Sequence, residues 1–199
     1  MTSTPTTDSP RILALAGSAR RESLNKQLAM AAARAVEAAG LPCTWLDLAD
    51  YPLPIYDGDL EETEGLPPNA EKLKQLVREH AGLLIASPEY NSSISPLLKN
   101  VIDWVSRSDG GAPDISPYHN KIAALLSASP GGLGGLRGLV TVRSILGNIG
   151  VTVIPQQYAL RQAHTAFDAE GNLASENDRG HLRGVTDSLV RVVSRLYTD

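Results

Sequence analysis

Apolar residues along this chain fall into short uninterrupted runs and longer stretches of helical spacing. Arg11 to Ala16 (RILALA), Gly82 to Ser87 (GLLIAS) and Lys121 to Ser127 (KIAALLS) are too short for helices and apolar almost throughout, which predicts strands buried on both faces. Between them, Leu24 to Ala39 is alanine-rich and stops at Gly40 and Pro42, predicting a helix, and Cys43 to Asp47 predicts a second strand. The segment Tyr51 to Pro68, rich in Pro, Gly and acids, reads as a long loop before a helix from Asn69 to His80. From Pro96 the positions Leu97, Leu98, Val101, Ile102 and Val105 recur at helical spacing, with Ser95 as N-cap and Pro96 at the first helical position. Leu133 to Ile149 predicts a further helix after a glycine-rich turn, and Val151 to Ile154 a β-branched strand stopped by Pro155. A fifth helix, Leu182 to Tyr197, carries the apolar stripe Leu182, Val185, Leu189, Val192, Val193 and Leu196. Phe167 to Leu173 (FDAEGNL) reads as a turn between short extended segments.

Alternating strands and helices of this kind imply an α/β fold: a doubly wound, five-stranded parallel sheet, with right-handed crossovers placing helices on both faces. In such folds ligands bind beyond the carboxyl ends of the strands, where strand order reverses. The loops after the first, third and fourth strands are therefore the ones to read for chemistry.

Composition narrows the field. A chain of 199 residues, 42% hydrophobic and 20% charged, is long and apolar enough for one folded domain, expected over residues 11–199, with residues 1–10 (MTSTPTTDSP) as a disordered tail. The formal net charge of −4 gives no basic field to draw in nucleic acid or an anionic membrane, so small-molecule partners are expected. The single cysteine, Cys43, can form no intramolecular disulfide, and His80, His119, His164 and His181 are too scattered for a zinc site. Without a signal peptide or a membrane-spanning run, a reducing, cytoplasmic setting is expected.

The first loop reads Gly17-Ser18-Ala19-Arg20-Arg21-Glu22-Ser23-Leu24-Asn25 and runs into a helix N-terminus. Free backbone N–H groups, the helix dipole, the hydroxyls of Ser18 and Ser23 and the guanidinium of Arg20 together suit a phosphate. Taken singly, Ser23 also fits a plain N-cap and Arg20 a solvated side chain. The Gly-Lys pair of a nucleotide-triphosphate loop does not occur, and no G-x-G-x-x-G follows the first strand. In the second loop, Pro88 leaves the strand extended and delivers Glu89, Tyr90 and Asn91 to its carboxyl end, suited to a planar heterocycle. Tyr90 as a packing residue, Asn91 as a turn former and Trp104 as a core anchor are the plainer alternatives. The third loop, Ser127 to Gly135 (SASPGGLGG), has little bulk, so its backbone can approach a flat ligand. No arrangement of residues points to nucleophilic or metal chemistry, and Cys43 reads as an inert thiol, so any reaction at this edge would rest on a cofactor.

These loops resemble the NADPH-dependent FMN reductase family, flavodoxin-like proteins that include bacterial quinone and chromate reductases and azoreductases. The likeness rests on Gly17-Ser18-x-Arg20-x-x-Ser23-x-Asn25, on Ser87 to Arg107 (SPEYNSSISPLLKNVIDWVSR) and on the Ser129 to Gly132 turn. It implies that Ser18, Arg20, Ser23 and Asn25 bind the FMN phosphate, that Pro88, Glu89, Tyr90 and Asn91 line the ribityl and isoalloxazine portion, and that Ser129, Gly131 and Gly132 touch the ring. It also implies homodimers or tetramers. The chain departs from the family pattern at Ser95-Pro96-Leu97 and at Ser92, which bears on the space above the ring.

The resemblance implies an FMN-dependent NAD(P)H oxidoreductase, with NADPH or NADH as donor, passing two electrons to a quinone, free flavin, azo compound or metal oxyanion such as chromate. The alternative is a flavodoxin-type carrier that binds FMN and does not use NAD(P)H.

Overall fold

The computed structural model of this protein describes residues 9–108 and 110–197; residues 1–8 of the expected tail lie outside the described residues. Five strands form one parallel sheet: β1 (Ile12–Ala16), β2 (Cys43–Leu46), β3 (Gly82–Ala86), β4 (Ile122–Ala128) and β5 (Thr152–Leu160). Their order is 2-1-3-4-5, the flavodoxin-like doubly wound arrangement, and order reverses between β1 and β3. The helices are α1 (Leu24–Ala38), α2 (Gly58–Glu64), α3 (Pro68–Glu79), α4 (Pro96–Val105), α5 (Leu136–Asn148) and α6 (Glu176–Tyr197).

Because β1, β3 and β4 are buried along their whole length, alternate residues feed two separate cores. Ile12, Ala14, Ala16, Ala86, Ala124 and Ala128 face α1 and α6, where the small side chains Ala29, Ala32 and Ala33 of α1 pack close to the sheet. Leu13, Leu15, Leu83, Ile85 and Leu125 face the other way, toward Leu73 of α3, Leu98 of α4 and Leu139 of α5. Full burial of each such leucine contributes roughly 1.5–3 kcal/mol. Trp104 is fully buried and its Nε1 donates to Pro54 O at 2.8 Å, so it is the core anchor that its apolar neighbours suggest.

Four expectations are corrected. The segment Tyr51 to Pro68 is not loop throughout, for it contains α2, whose Asp57 side chain caps Asp59 N at 2.9 Å. Its Glu61 is buried against Arg107, whose guanidinium donates twice to Oε2 and once to Oε1 at 2.8–3.1 Å. Second, the strand expected to stop at Pro155 continues to Leu160. Pro155 lies in a bulge on an edge strand: five residues of β5, Val153 to Gln157, span three of β4, Ala123 to Leu125. Third, α5 starts at Leu136 rather than Leu133, because Gly134 and Gly135 sit at φ +64° and +88°, outside helical space. Fourth, α6 starts at Glu176 rather than Leu182; its first turn is polar and is capped by Ser175 Oγ, which accepts from Asp178 N at 3.4 Å.

Other expectations hold. Phe167 and Leu173 form an antiparallel bridge around the expected turn. Cys43 is half-buried, and burial first and Glu37 second push its thiol up to about 12, which keeps it protonated and inert. Among the described residues no helix is long and apolar enough to cross a membrane.

Candidate functional site

The three loops meet at the carboxyl edge of the sheet, over the reversal between β1 and β3. Gly17 leaves β1 so close to α4 that a Cβ there would lie 2.9 Å from the Cβ of Leu98, which is why glycine occupies the position. Its N–H donates to Ala86 O at 2.9 Å, and its carbonyl accepts from Ser95 Oγ at 2.7 Å. Ser95 also caps α4, accepting from Leu98 N at 3.2 Å.

Beyond Gly17 the chain turns into α1. Ser18 is buried and its Oγ accepts from Arg20 N at 3.3 Å; Ser23 is buried and caps α1 through Lys26 N at 3.4 Å. Arg20 is exposed and carries no side-chain hydrogen bond or ion pair among the described residues. Two buried hydroxyls, a helix N-terminus and an exposed guanidinium thus fall within six consecutive residues, a set of donors suited to an anion. Asn25 is placed differently: its amide holds both backbone groups of Ala128, with Nδ2 donating to the carbonyl and Oδ1 accepting from the N–H, each at 2.9 Å. It fixes the first loop to the end of β4.

Lys26 was not singled out by sequence. It is buried and pairs with Asp47 at the end of β2 at 2.7 Å, locking α1 against the edge of the sheet. A lysine three residues past an N-cap serine was the available signal.

After β3, Pro88 leads to a tight turn in which Tyr90 and Ser93 exchange N–H···O bonds of 3.1 and 3.0 Å. Asn91 and Ser92 occupy its centre at φ 51° and 66°, the geometry of a type I′ turn. Asparagine tolerates this backbone; serine does so less readily, and glycine would relieve it. Tyr90 is half exposed at the rim.

Glu89 is committed to partners on α5. Its Oε1 accepts from Arg137 Nε at 2.9 Å and Nη2 at 2.5 Å, and its Oε2 accepts from Gly138 N at 3.0 Å. Since the N-cap of α5 is Gly135, which has no capping side chain, Glu89 supplies from another loop the acceptor that the helix lacks. Burial raises its carboxyl pKa, but the bonds from Arg137 and Gly138 outweigh this and leave it below the usual carboxylate range.

A cavity of about 500 Å³ opens between this turn and the third loop. Of the residues expected there, it is lined by Glu89, Asn91, Ser129, Gly131 and Gly132, together with Arg137. Ser129 Oγ accepts from Gly131 N at 3.1 Å and shapes the floor. Gly134 packs so tightly on β5 that a Cβ would lie 2.8 Å from the Ala159 carbonyl, whereas one at Gly132 would project into open space. Ser18, Arg20, Ser23 and Asn25 stand on the neighbouring β1 side. The arrangement is a slot walled by the glycine loop and the Glu89–Arg137 pair, with the hydroxyl- and arginine-bearing turn before α1 on its β1 side.

The family model described as NADPH-dependent FMN reductase matches residues 10–165. A probable NADPH:quinone oxidoreductase of Oryza sativa is 35% identical over 190 residues, covering 94% of this chain and 90% of that protein. An NAD(P)H-dependent FMN reductase of Pseudomonas aeruginosa is 34% identical over 193 residues, covering 95% and 98%. Among solved structures, the flavoenzyme NAD(P)H:acceptor oxidoreductase FerB of Paracoccus denitrificans superposes with a TM-score of 0.80 at 28% identity, covering 94% of this chain and 98% of that one.

Proposed function

This chain belongs to the NADPH-dependent FMN reductase family, and we propose that it is an FMN-dependent oxidoreductase that takes two electrons from NAD(P)H and passes them to a quinone. The observation that carries this reading is the pinning of the first loop to the other two, through Ser95 to Gly17 and Asn25 to Ala128, which fixes an anion cradle beside a planar slot.

The residues present fit FMN. The buried hydroxyls of Ser18 and Ser23, the first-turn N–H groups of α1 and the free guanidinium of Arg20 suit its phosphate, and the open space over Gly132 suits the edge of a flat ring. When bound, FMN supplies the redox chemistry, accepting two electrons from the nicotinamide and releasing them to the acceptor.

The chain's own groups bind and orient. Ser18, Arg20 and Ser23 hold the phosphate, while Asn25 serves the same end as a positioning residue. Pro88, Tyr90 and Asn91 line the ribityl chain and ring, and Glu89 keeps that wall in place by holding Arg137 and the start of α5. Ser129, Gly131 and Gly132 form the low wall against the ring edge, Ser129 and Gly131 holding the loop's shape through Gly131 N donating to Ser129 Oγ. Free flavin, azo compounds or metal oxyanions such as chromate are further acceptors for the same space. Residues 11–199 act as one FMN-binding domain, and the exposed Leu133, Leu136 and Val140 beside the slot suit assembly as a homodimer or tetramer.

The test is the visible spectrum of protein supplied with FMN and followed anaerobically. Bleaching of bound flavin by NADPH or NADH, and recovery on adding a quinone, is the expected result. Bound flavin that ignores both nucleotides would instead indicate an electron carrier, and failure to bind flavin would overturn the reading.

A further inference from the structure

A second cavity, of about 660 Å³, lies on the far side of the glycine loop and shares Gly132 and Leu133 with the first. Its outer wall is the end of β5 and the start of α6. There Tyr158 and His181 stack at 5.6 Å between ring centroids with 23° between planes, giving a flat aromatic face. The Tyr158 hydroxyl donates to Asp178 Oδ1 at 2.8 Å, and burial first, then that bond, raises its pKa, so the phenol stays neutral. Arg161 completes the wall. It is exposed and makes no side-chain hydrogen bond or ion pair among the described residues, whereas Arg137 and Arg143 are committed to Glu89 and to β5. The backbone beside it is tied to the shared loop by Gln162 N donating to Gly131 O at 3.4 Å.

Resting on the reductase reading above, we propose that this cavity receives the adenosine-phosphate end of the nicotinamide dinucleotide, with Arg161 on a phosphate and the Tyr158–His181 face against the purine. A two-ended ligand matches two cavities that meet at Gly132 and Leu133. With its planar nicotinamide end against the flavin ring that the first slot holds, its other end crosses the low glycine loop into the second. The stacked rings offer the purine a π-face, and Arg161 offers a phosphate a forked, unshared donor set. Asp178, already occupied on Oδ1, keeps Oδ2 free to accept from a ribose hydroxyl or the adenine amine. The phosphate that Arg161 meets is either the 2′-phosphate, present only in NADPH, or the diphosphate bridge common to NADPH and NADH.

Calorimetric titration of the FMN-loaded protein with 2′,5′-ADP and with ADP, for wild type, Arg161→Gln and His181→Ala, reads this without turnover. Wild type is expected to bind at least one of the two, and each variant to weaken that binding, Arg161→Gln by about ten- to a hundredfold. In steady state, Arg161→Gln should raise KM and leave kcat and FMN retention unchanged. A KM rise for NADPH alone identifies the 2′-phosphate; a rise for both donors identifies the diphosphate. Wild type that binds neither mononucleotide, or variants with unchanged affinity and KM, would overturn the assignment. Nucleotide bleaching of the flavin would persist in that case, so the reductase reading stands or falls separately.

Discussion

Asn25, in the first turn of α1, holds both backbone groups of Ala128, the last residue of β4, through two hydrogen bonds of 2.9 Å. The two residues are buried and 103 positions apart in sequence. One side chain therefore sets the distance between the loop after β1 and the loop after β4.

Replacing it should be costly in two ways. Asn25→Ala leaves a buried N–H and a buried carbonyl without that partner, and we expect a loss of about 2 kcal/mol in urea denaturation. We also expect faster loss of FMN on dialysis. Unchanged FMN retention in the folded variant would show that the link does not govern the site.

Two neighbouring glycines should respond in opposite ways. Gly134→Ala forces a Cβ to within 2.8 Å of the Ala159 carbonyl at φ +64°, so we expect destabilisation of about 2 kcal/mol or more. Gly132→Ala meets nothing within 4 Å and should leave the melting temperature unchanged while weakening FMN binding, because its methyl group enters the slot. Differential scanning fluorimetry with and without FMN separates the two effects.

Arg20→Ala should weaken FMN retention by about tenfold or more through loss of a charge-assisted contact. Stability without FMN should not change, since the side chain is exposed and uncommitted. Equal FMN affinity in the variant would remove Arg20 from the phosphate site.

The acid limb of stability should depend on Asp114. Hydrogen bonds from Ser116 first and from Lys74 next bring its carboxyl down to about 2 from 3.8. The folded pKa is depressed, so the stabilisation is fully present above about 3.8 and is lost as pH falls toward 2. Asp114→Asn should lower the thermal midpoint at neutral pH and flatten its fall between pH 4 and 2. An acid limb of unchanged steepness would show that another carboxylate dominates.

The sequence shows most of the sheet because β1, β3 and β4 are buried on both faces, and that leaves an unbroken apolar run. β5 is harder to read: as an edge strand it buries only part of its length and admits Pro155 in a bulge, so local propensity points the wrong way. α2 is polar apart from Leu60, and what anchors it is the buried Glu61 paired with Arg107, 46 residues away, which no periodicity contains. At the site, the loop positions of Ser18, Ser23, Asn91, Ser129 and Gly132 follow from strand ends and turn chemistry. The partners of Glu89 and Asn25 do not. Both side chains look available in sequence, and both are spent on distant elements: Asn25 on the backbone of Ala128, Glu89 on the Arg137 guanidinium and Gly138 N.

The bulge at Pro155 also bears on how copies of this protein meet. An edge strand ordinarily presents a row of unpaired N–H and carbonyl groups on which another chain can polymerise. Here the proline removes one donor, the bulge breaks the register, and Arg143 occupies the carbonyls of Val153 and Ile154 at 3.1 and 2.9 Å. The β5 margin thus offers no continuous ladder for strand addition, a safeguard against sheet-to-sheet aggregation that leaves helices and loops as the surfaces for orderly association.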